Sequence, residues 1–124
     1  MDIELTSAGI EDPLISPMGP AFKGFEWHSY GCLPPPGAVV LANSEASPQA
    51  WKIGGAAWAI QFHAEVTLED AESWLRAWSH DEDAVASGLD PQAISAETRE
   101  RIATWNDLGR GLAQRFFELA ATRE

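Results

Sequence analysis

The sequence predicts an α/β chain: an antiparallel meander of short strands, a last buried strand, and two principal helices. Two observations carry this. Up to about residue 62, short apolar runs alternate with Gly, Pro, Asn and Ser. From Thr67 onward the apolar residues recur at helical spacing instead.

The elements follow in order. Ile3-Glu4-Leu5-Thr6 alternates and reads as a strand. Residues 9–20 contain Gly9, Gly19, Pro13, Pro17 and Pro20, and read as a loop packed over an edge. Residues 22–28 read as a strand with Phe25 and Trp27 on one face. Pro34-Pro35-Pro36-Gly37 forces an extended segment and then a turn. Residues 38–42 and 50–53 read as two more strands. Gly54-Gly55 suits a hairpin turn into a strand over 56–62. Both faces of that strand are largely apolar, which belongs to a sheet interior.

Thr67 with Asp70 three residues on reads as a capping box for a helix over 67–79, with Ala71, Trp74, Leu75 and Trp78 on one face. Residues 81–87 read as a short acidic turn of helix closed by Gly88. Ser95 reads as the cap of a final helix over 95–121, striped by Ile102, Trp105, Leu112, Phe116 and Leu119. Gly109 and Gly111 weaken its middle, by about 1 kcal/mol each relative to Ala.

With 124 residues and 45% apolar content, the chain suits one domain or part of one, and disorder is disfavoured. The formal net charge of −11 repels phosphate backbones and anionic lipid, so nucleic acid and membrane are not expected partners. Cys32 is the single cysteine, which rules out an internal disulfide or a cysteine zinc cluster. No apolar run approaches the ~20 residues that span a bilayer. The acidic start, Met1-Asp2-Ile3-Glu4, lacks a signal-peptide pattern, and a cytoplasmic location is expected.

The chemistry concentrates in Gln61-Phe62-His63-Ala64-Glu65-Val66-Thr67. A histidine and a glutamate two positions apart in extended backbone point to the same side. The carboxylate then accepts from one imidazole nitrogen, fixes the tautomer, and leaves the other nitrogen as a base. The bland alternative for His63 is a structural histidine after a strand.

The surroundings of this pair form an ordered series. Phe25-Glu26-Trp27-His28-Ser29 comes first, then Leu33-Pro34, Gly37-Ala38 and Leu41-Ala42-Asn43-Ser44. Gln49-Ala50-Trp51 and Gln61-Phe62-His63 follow. Thr6, Gly9, Asp12, Pro13 and Leu14 precede them. This order resembles the C-terminal half of a class I glutamine amidotransferase domain of the GMP-synthase-like group, over about residues 3–75. That family has a flavodoxin-like α/β fold with a mixed sheet. Its usual form of the histidine motif is Gln-Phe-His-Pro-Glu, so Ala64 stands in place of a proline. Pro48 likewise stands where an asparagine is common before Gln49.

The resemblance implies glutamine hydrolysis. A cysteine thiolate attacks the side-chain amide of L-glutamine, a glutamyl thioester forms, and ammonia passes to a synthetase domain or subunit. His63 is then the catalytic base and acid, and Glu65 its orienter. His28, Ser29 and Tyr30 correspond to a stretch whose backbone helps hold the glutamine α-amino group. The bland reading of that stretch is a strand end beside a packed Trp27. No cofactor or metal is called for.

The family's nucleophile sits in a Gly-x-Cys-x-Gly elbow between a strand and a helix, upstream of these segments. Gly31-Cys32-Leu33 is a superficial match. It follows the Trp-His segment, lies too close to His63, and is succeeded by prolines that block a helix. The whole chain, 1–124, therefore reads as a partial amidotransferase domain without its N-terminal nucleophile half, inactive alone. The alternative is a non-catalytic remnant serving as a binding or regulatory module. A metal site of His28, His63 and Glu65 is a third, weakly supported idea, because no His-x-x-x-His or cysteine cluster accompanies it. Without the parallel strands of an N-terminal half, the chain is expected to expose an apolar patch larger than the ~300–600 Å² usual on a monomer. Sedimentation should therefore show self-association, relieved when that half is supplied, and a strictly monomeric chain with a sharp melt would contradict this.

Overall fold

The structure, a computed structural model, describes residues 1–80, 82, 86 and 88–122. Five strands, β1 (Asp2–Leu5), β2 (Ala21–Lys23), β3 (Val39–Ser44), β4 (Pro48–Ile53) and β5 (Ala57–Ile60), form one sheet in the order β2-β1-β3-β4-β5. Every pairing is antiparallel. The helices are α1 (Ser7–Glu11), α2 (Leu68–Trp78) and α3 (Pro91–Ala121). The expected class, an α/β chain with a meander and two principal helices, is what the chain adopts. Among the described residues no helix is long and apolar enough to cross a membrane.

Several boundaries differ from the sequence reading, each for a local reason. The strand expected over 22–28 stops at Lys23. A Cβ on Gly24 would lie 2.3 Å from Cδ1 of Ile3, and beyond it the chain leaves the sheet and carries Phe25 and Trp27 to the aromatic residues of α2. The loop over 9–20 contains the last residues of α1 and a 3₁₀ turn, Ser16–Met18. The final helix starts at Pro91 rather than 95. Asp90 caps it by accepting from the Gln92 N–H at 2.9 Å, and proline suits the first helical position. The helix runs unbroken through Gly109 and Gly111. The turn of helix expected over 81–87 falls mostly outside the described residues.

The last strand also differs. Strand β5 lies at the sheet edge, half-buried rather than buried, with Ile60 39% exposed. No strand of the described residues pairs with its far side. The Gly-Gly turn before it forms as expected, with Gly54 at φ 59°.

Strand β3 carries a bulge. Val40 pairs with Trp51 and Ala42 with Ala50, which leaves Leu41 between them. The carbonyl this frees from the ladder accepts from the Thr6 N–H at 2.9 Å. The Thr6 hydroxyl donates to the Val40 carbonyl at 2.8 Å and caps α1 by accepting from the Gly9 N–H. Gly9 sits so close that a Cβ would meet the Leu41 carbonyl oxygen at 2.0 Å, so only glycine fits.

The core joins Ile3, Ile15, Phe22, Leu41, Phe62, Val66, Trp105 and Leu112. Phe22, Phe62 and Trp105 form its centre, with ring centroids 5.5, 5.6 and 6.0 Å apart. Aromatic pairs of this kind add roughly 0.5–1.5 kcal/mol beyond burial.

Asp12 holds the sheet to the loop above it. Its carboxylate is 3% exposed and accepts from the N–H groups of Leu14 and Ile15 at 2.9 and 3.1 Å. It also accepts from the Trp58 indole at 3.1 Å and faces the Lys52 ammonium at 3.4 Å. Lys52 in turn lies over the Trp58 ring, 4.6 Å from its centre. Replacing Asp12 by Ala leaves these donors without their acceptor and the cation without its partner. Urea unfolding of Asp12→Ala should show a loss of about 3 kcal/mol. Asp2→Ala, which removes an exposed ion pair with Lys23, should leave the urea midpoint close to that of the unaltered chain.

Candidate functional site

The site is built where β5 ends. The Gln61 N–H donates to the Gln49 carbonyl at 2.8 Å, a last tie to β4. Phe62 turns into the core, 2% exposed. His63 then leaves the sheet, its N–H donating to the Phe25 carbonyl at 2.9 Å. Thr67 ends the segment by capping α2. Its hydroxyl accepts from the Asp70 N–H at 3.2 Å, and Asp70 accepts from the Thr67 N–H at 3.1 Å. That box forms as the sequence indicated. The Thr67 hydroxyl also donates to the Asp70 carboxylate at 2.6 Å, and this bond, followed by the one from the Thr67 N–H, holds the Asp70 carboxyl below its usual pKa.

Within this short span His63 and Glu65 meet. Nδ1 of His63 lies 2.8 Å from Oε1 of Glu65. An ionised carboxylate can only accept, so Nδ1 carries a hydrogen, and in the neutral imidazole Nε2 then keeps its lone pair. The imidazole is partly exposed and Glu65 is mostly exposed. The ring packs edge-on against Trp74 of α2, centroids 5.2 Å apart. An oriented, solvent-reachable imidazole with a free Nε2 can take a proton from a nucleophile and return it to a leaving group.

The backbone under the pair is held by α3. The Trp105 indole donates to the His63 carbonyl at 2.8 Å, and the Asn106 amide to the Val66 carbonyl at 2.8 Å. At Gly109 a Cβ would lie 2.1 Å from the Ala64 carbonyl oxygen. The sequence reading treated Gly109 only as a weak point of the helix and Trp105 only as core. The helical spacing of Trp105, Asn106 and Gly109 was the available signal. It places all three on neighbouring positions of one face.

His28, Ser29 and Tyr30 lie on a loop that is tied down at both ends beside the pair. One tie is Phe25 to His63. The other is the Cys32 N–H, which donates to Oε1 of Gln61. The Gln61 amide also donates to the Ser47 hydroxyl at 3.0 Å and the Pro48 carbonyl at 3.1 Å. His28 itself pairs with Glu26, Nε2 to Oε2 3.5 Å, not with the His63–Glu65 pair. Tyr30 is 87% exposed. Cys32 is exposed and is followed by the proline segment rather than a helix. Among the described residues no three His, Cys, Asp or Glu side chains gather as a metal-binding group.

The fold has known counterparts. A glutamine amidotransferase from Thermotoga maritima superposes with a TM-score of 0.76 at 22% identity, covering 93% of this chain and 48% of that one. A glutamine amidotransferase from Methylobacillus flagellatus gives a TM-score of 0.73 at 21% identity, covering 94% and 50%. The chain thus spans about half the length of these structures and has the fold of that half. No protein-family model and no curated protein matches the sequence.

One buried acid stands beside the site. Glu26 has its carboxylate 8% exposed, and burial pushes its pKa up, opposed by the amino group of Met1 and by His28. The folded state therefore holds this proton more tightly than the unfolded one. The stabilisation is present at acid pH and is lost as pH rises past the ordinary value of 4.5 and through the raised one. Glu26→Gln removes the ionising group. It should raise stability at pH 7, change it little at pH 3, and flatten the decline between, as read by urea melts across pH.

Proposed function

We propose that this chain is the histidine–glutamate half of a cysteine-dependent glutamine amidotransferase. The observation that carries the reading is the 2.8 Å contact of His63 Nδ1 with Glu65 Oε1 at the end of β5, in a fold shared with glutamine amidotransferases. His63 takes the thiol proton of a cysteine supplied by another polypeptide segment. The thiolate adds to the glutamine side-chain amide, and His63 returns the proton to the leaving nitrogen as ammonia departs. The glutamyl thioester is then hydrolysed by water activated at the same imidazole. Glu65 keeps Nδ1–H in place and stabilises the imidazolium.

The loop tied at Phe25 and Cys32 supplies the glutamine contacts, through the backbone of His28, Ser29 and Tyr30. Its two anchors set its position relative to Nε2. The similarity to a class I domain of the GMP-synthase-like group supports a synthetase as the consumer of the ammonia. Cys32 has no part in the chemistry, for it lies in an exposed proline-flanked loop rather than at a helix start.

The chain alone should release no ammonia from glutamine. Supplied with a cysteine-bearing N-terminal half of such a domain, it should restore glutaminase activity. In that complex His63→Ala should lower kcat/KM by roughly 10²–10⁴-fold, the usual contribution of a general base, and Glu65→Gln by less. Cys32→Ala should leave it unchanged. Activity of the isolated chain that Cys32→Ala abolishes would overturn the assignment. Stable assembly with that half without any glutaminase activity would favour a binding or regulatory role instead.

A further inference from the structure

Behind the tied loop lies a cavity of about 750 Å³, between residues 23–29, the end of α2 and the first half of α3. Neither His63 nor Glu65 lines it. Its volume falls in the ~300–1,000 Å³ range of small-molecule sites. Three tryptophans, Trp27, Trp78 and Trp105, form much of its wall. Trp27 and Trp78 meet edge to face, with ring centroids 5.5 Å apart.

Glu26 lies in this apolar wall with an unmet hydrogen-bonding capacity. Its carboxylate is 8% exposed, and Oε1 has no hydrogen-bond partner. Oε2 has only the 3.5 Å approach of His28. An unpartnered buried carboxylate oxygen costs free energy, and such an atom marks a place where a donor is missing.

We propose that this cavity is a binding site for a flat aromatic ligand bearing an amino or ring N–H donor, its ring between the tryptophans and its donor on Glu26. Aromatic faces favour planar and cationic rings. A carboxylate without a partner favours an N–H donor, most of all a charged one, and disfavours an anion. Met1 with its amino group, Lys23 and Arg101 line the cavity as well; Lys23 pairs with Asp2 and Arg101 with Glu97, and Glu26 is the one buried acid beside the rings. His28 and Ser29, whose backbone is assigned to glutamine above, also line this cavity, so the two sites adjoin; the ligand inference rests on Glu26 and the tryptophans and not on the glutamine chemistry.

The test compares two probes of one ring skeleton by calorimetric titration of the 124-residue chain at pH 7: 2-aminoquinoline, which brings an amino donor and, where protonated, a charged ring N–H, and quinoline, which is neutral and brings no donor. The amino compound should bind at least tenfold more tightly. Glu26→Gln keeps the shape and removes the charge, and there the difference between the probes should shrink to less than threefold. Ile94→Trp, which fills the cavity from α3, should abolish binding of both probes with the fold intact by circular dichroism. Equal binding of the two probes to the unaltered chain, binding of neither at millimolar concentration, a preference that survives Glu26→Gln, or binding that survives Ile94→Trp would each overturn the proposal. The probe comparison on the unaltered chain stands even if a variant fails to fold.

Discussion

The segment that carries His63 is held by helix α3. Residues 63–66 have left the sheet, so no strand satisfies their carbonyls, and unpaired buried carbonyls are costly. Trp105 and Asn106 supply two of the missing donors, and Gly109 lets the helix backbone close onto the Ala64 carbonyl. These three contacts fix where His63 and Glu65 stand. A long helix far along the chain thereby sets the geometry of a pair only two residues apart.

The imidazole is held from a second direction by aromatic packing. Trp74 meets the His63 ring and also touches Phe25 and Trp27, while Trp27 reaches Trp78. Helix α2 and the loop after β2 are therefore joined through the same tryptophan that orients the histidine. The capping box at Thr67 and Asp70 fixes the start of α2, and so the position of Trp74 on it. Sequence-local chemistry at the cap and long-range stacking act on one side chain.

Much of this could be read from the sequence, for identifiable reasons. The strands of the meander, the Gly-Gly turn, the cap at Thr67 and the His63–Glu65 pair rest on local rules. Each needs only its own few residues. The stop of β2 at Lys23 was not legible, because Gly24 lies against Ile3, which is distant in sequence. The start of α3 was misread for a different reason. Asp90-Pro91 carried the better signal, but the reading favoured Ser95 nearer the apolar stripe. The half-buried character of β5 depends on its place at the edge of the sheet, which residue alternation cannot report. Glu26 illustrates the same limit. Nothing in Phe25-Glu26-Trp27 says that the acid is buried, since burial comes from how the loop lies in the fold.

The hold of α3 on the turn has a consequence for how this sequence can drift. The helix grips oxygen atoms of the main chain, which every residue type possesses. The identities of residues 64 and 66 matter little to that grip, and an alanine at position 64 keeps its carbonyl as a proline would. The burden falls instead on Trp105, Asn106 and Gly109, some forty residues away. Descendants of this chain should tolerate changes at position 64 and resist changes in one turn of a distant helix. A search keyed to the histidine motif alone would then pass over relatives that a search keyed to Trp-Asn-x-x-Gly would find.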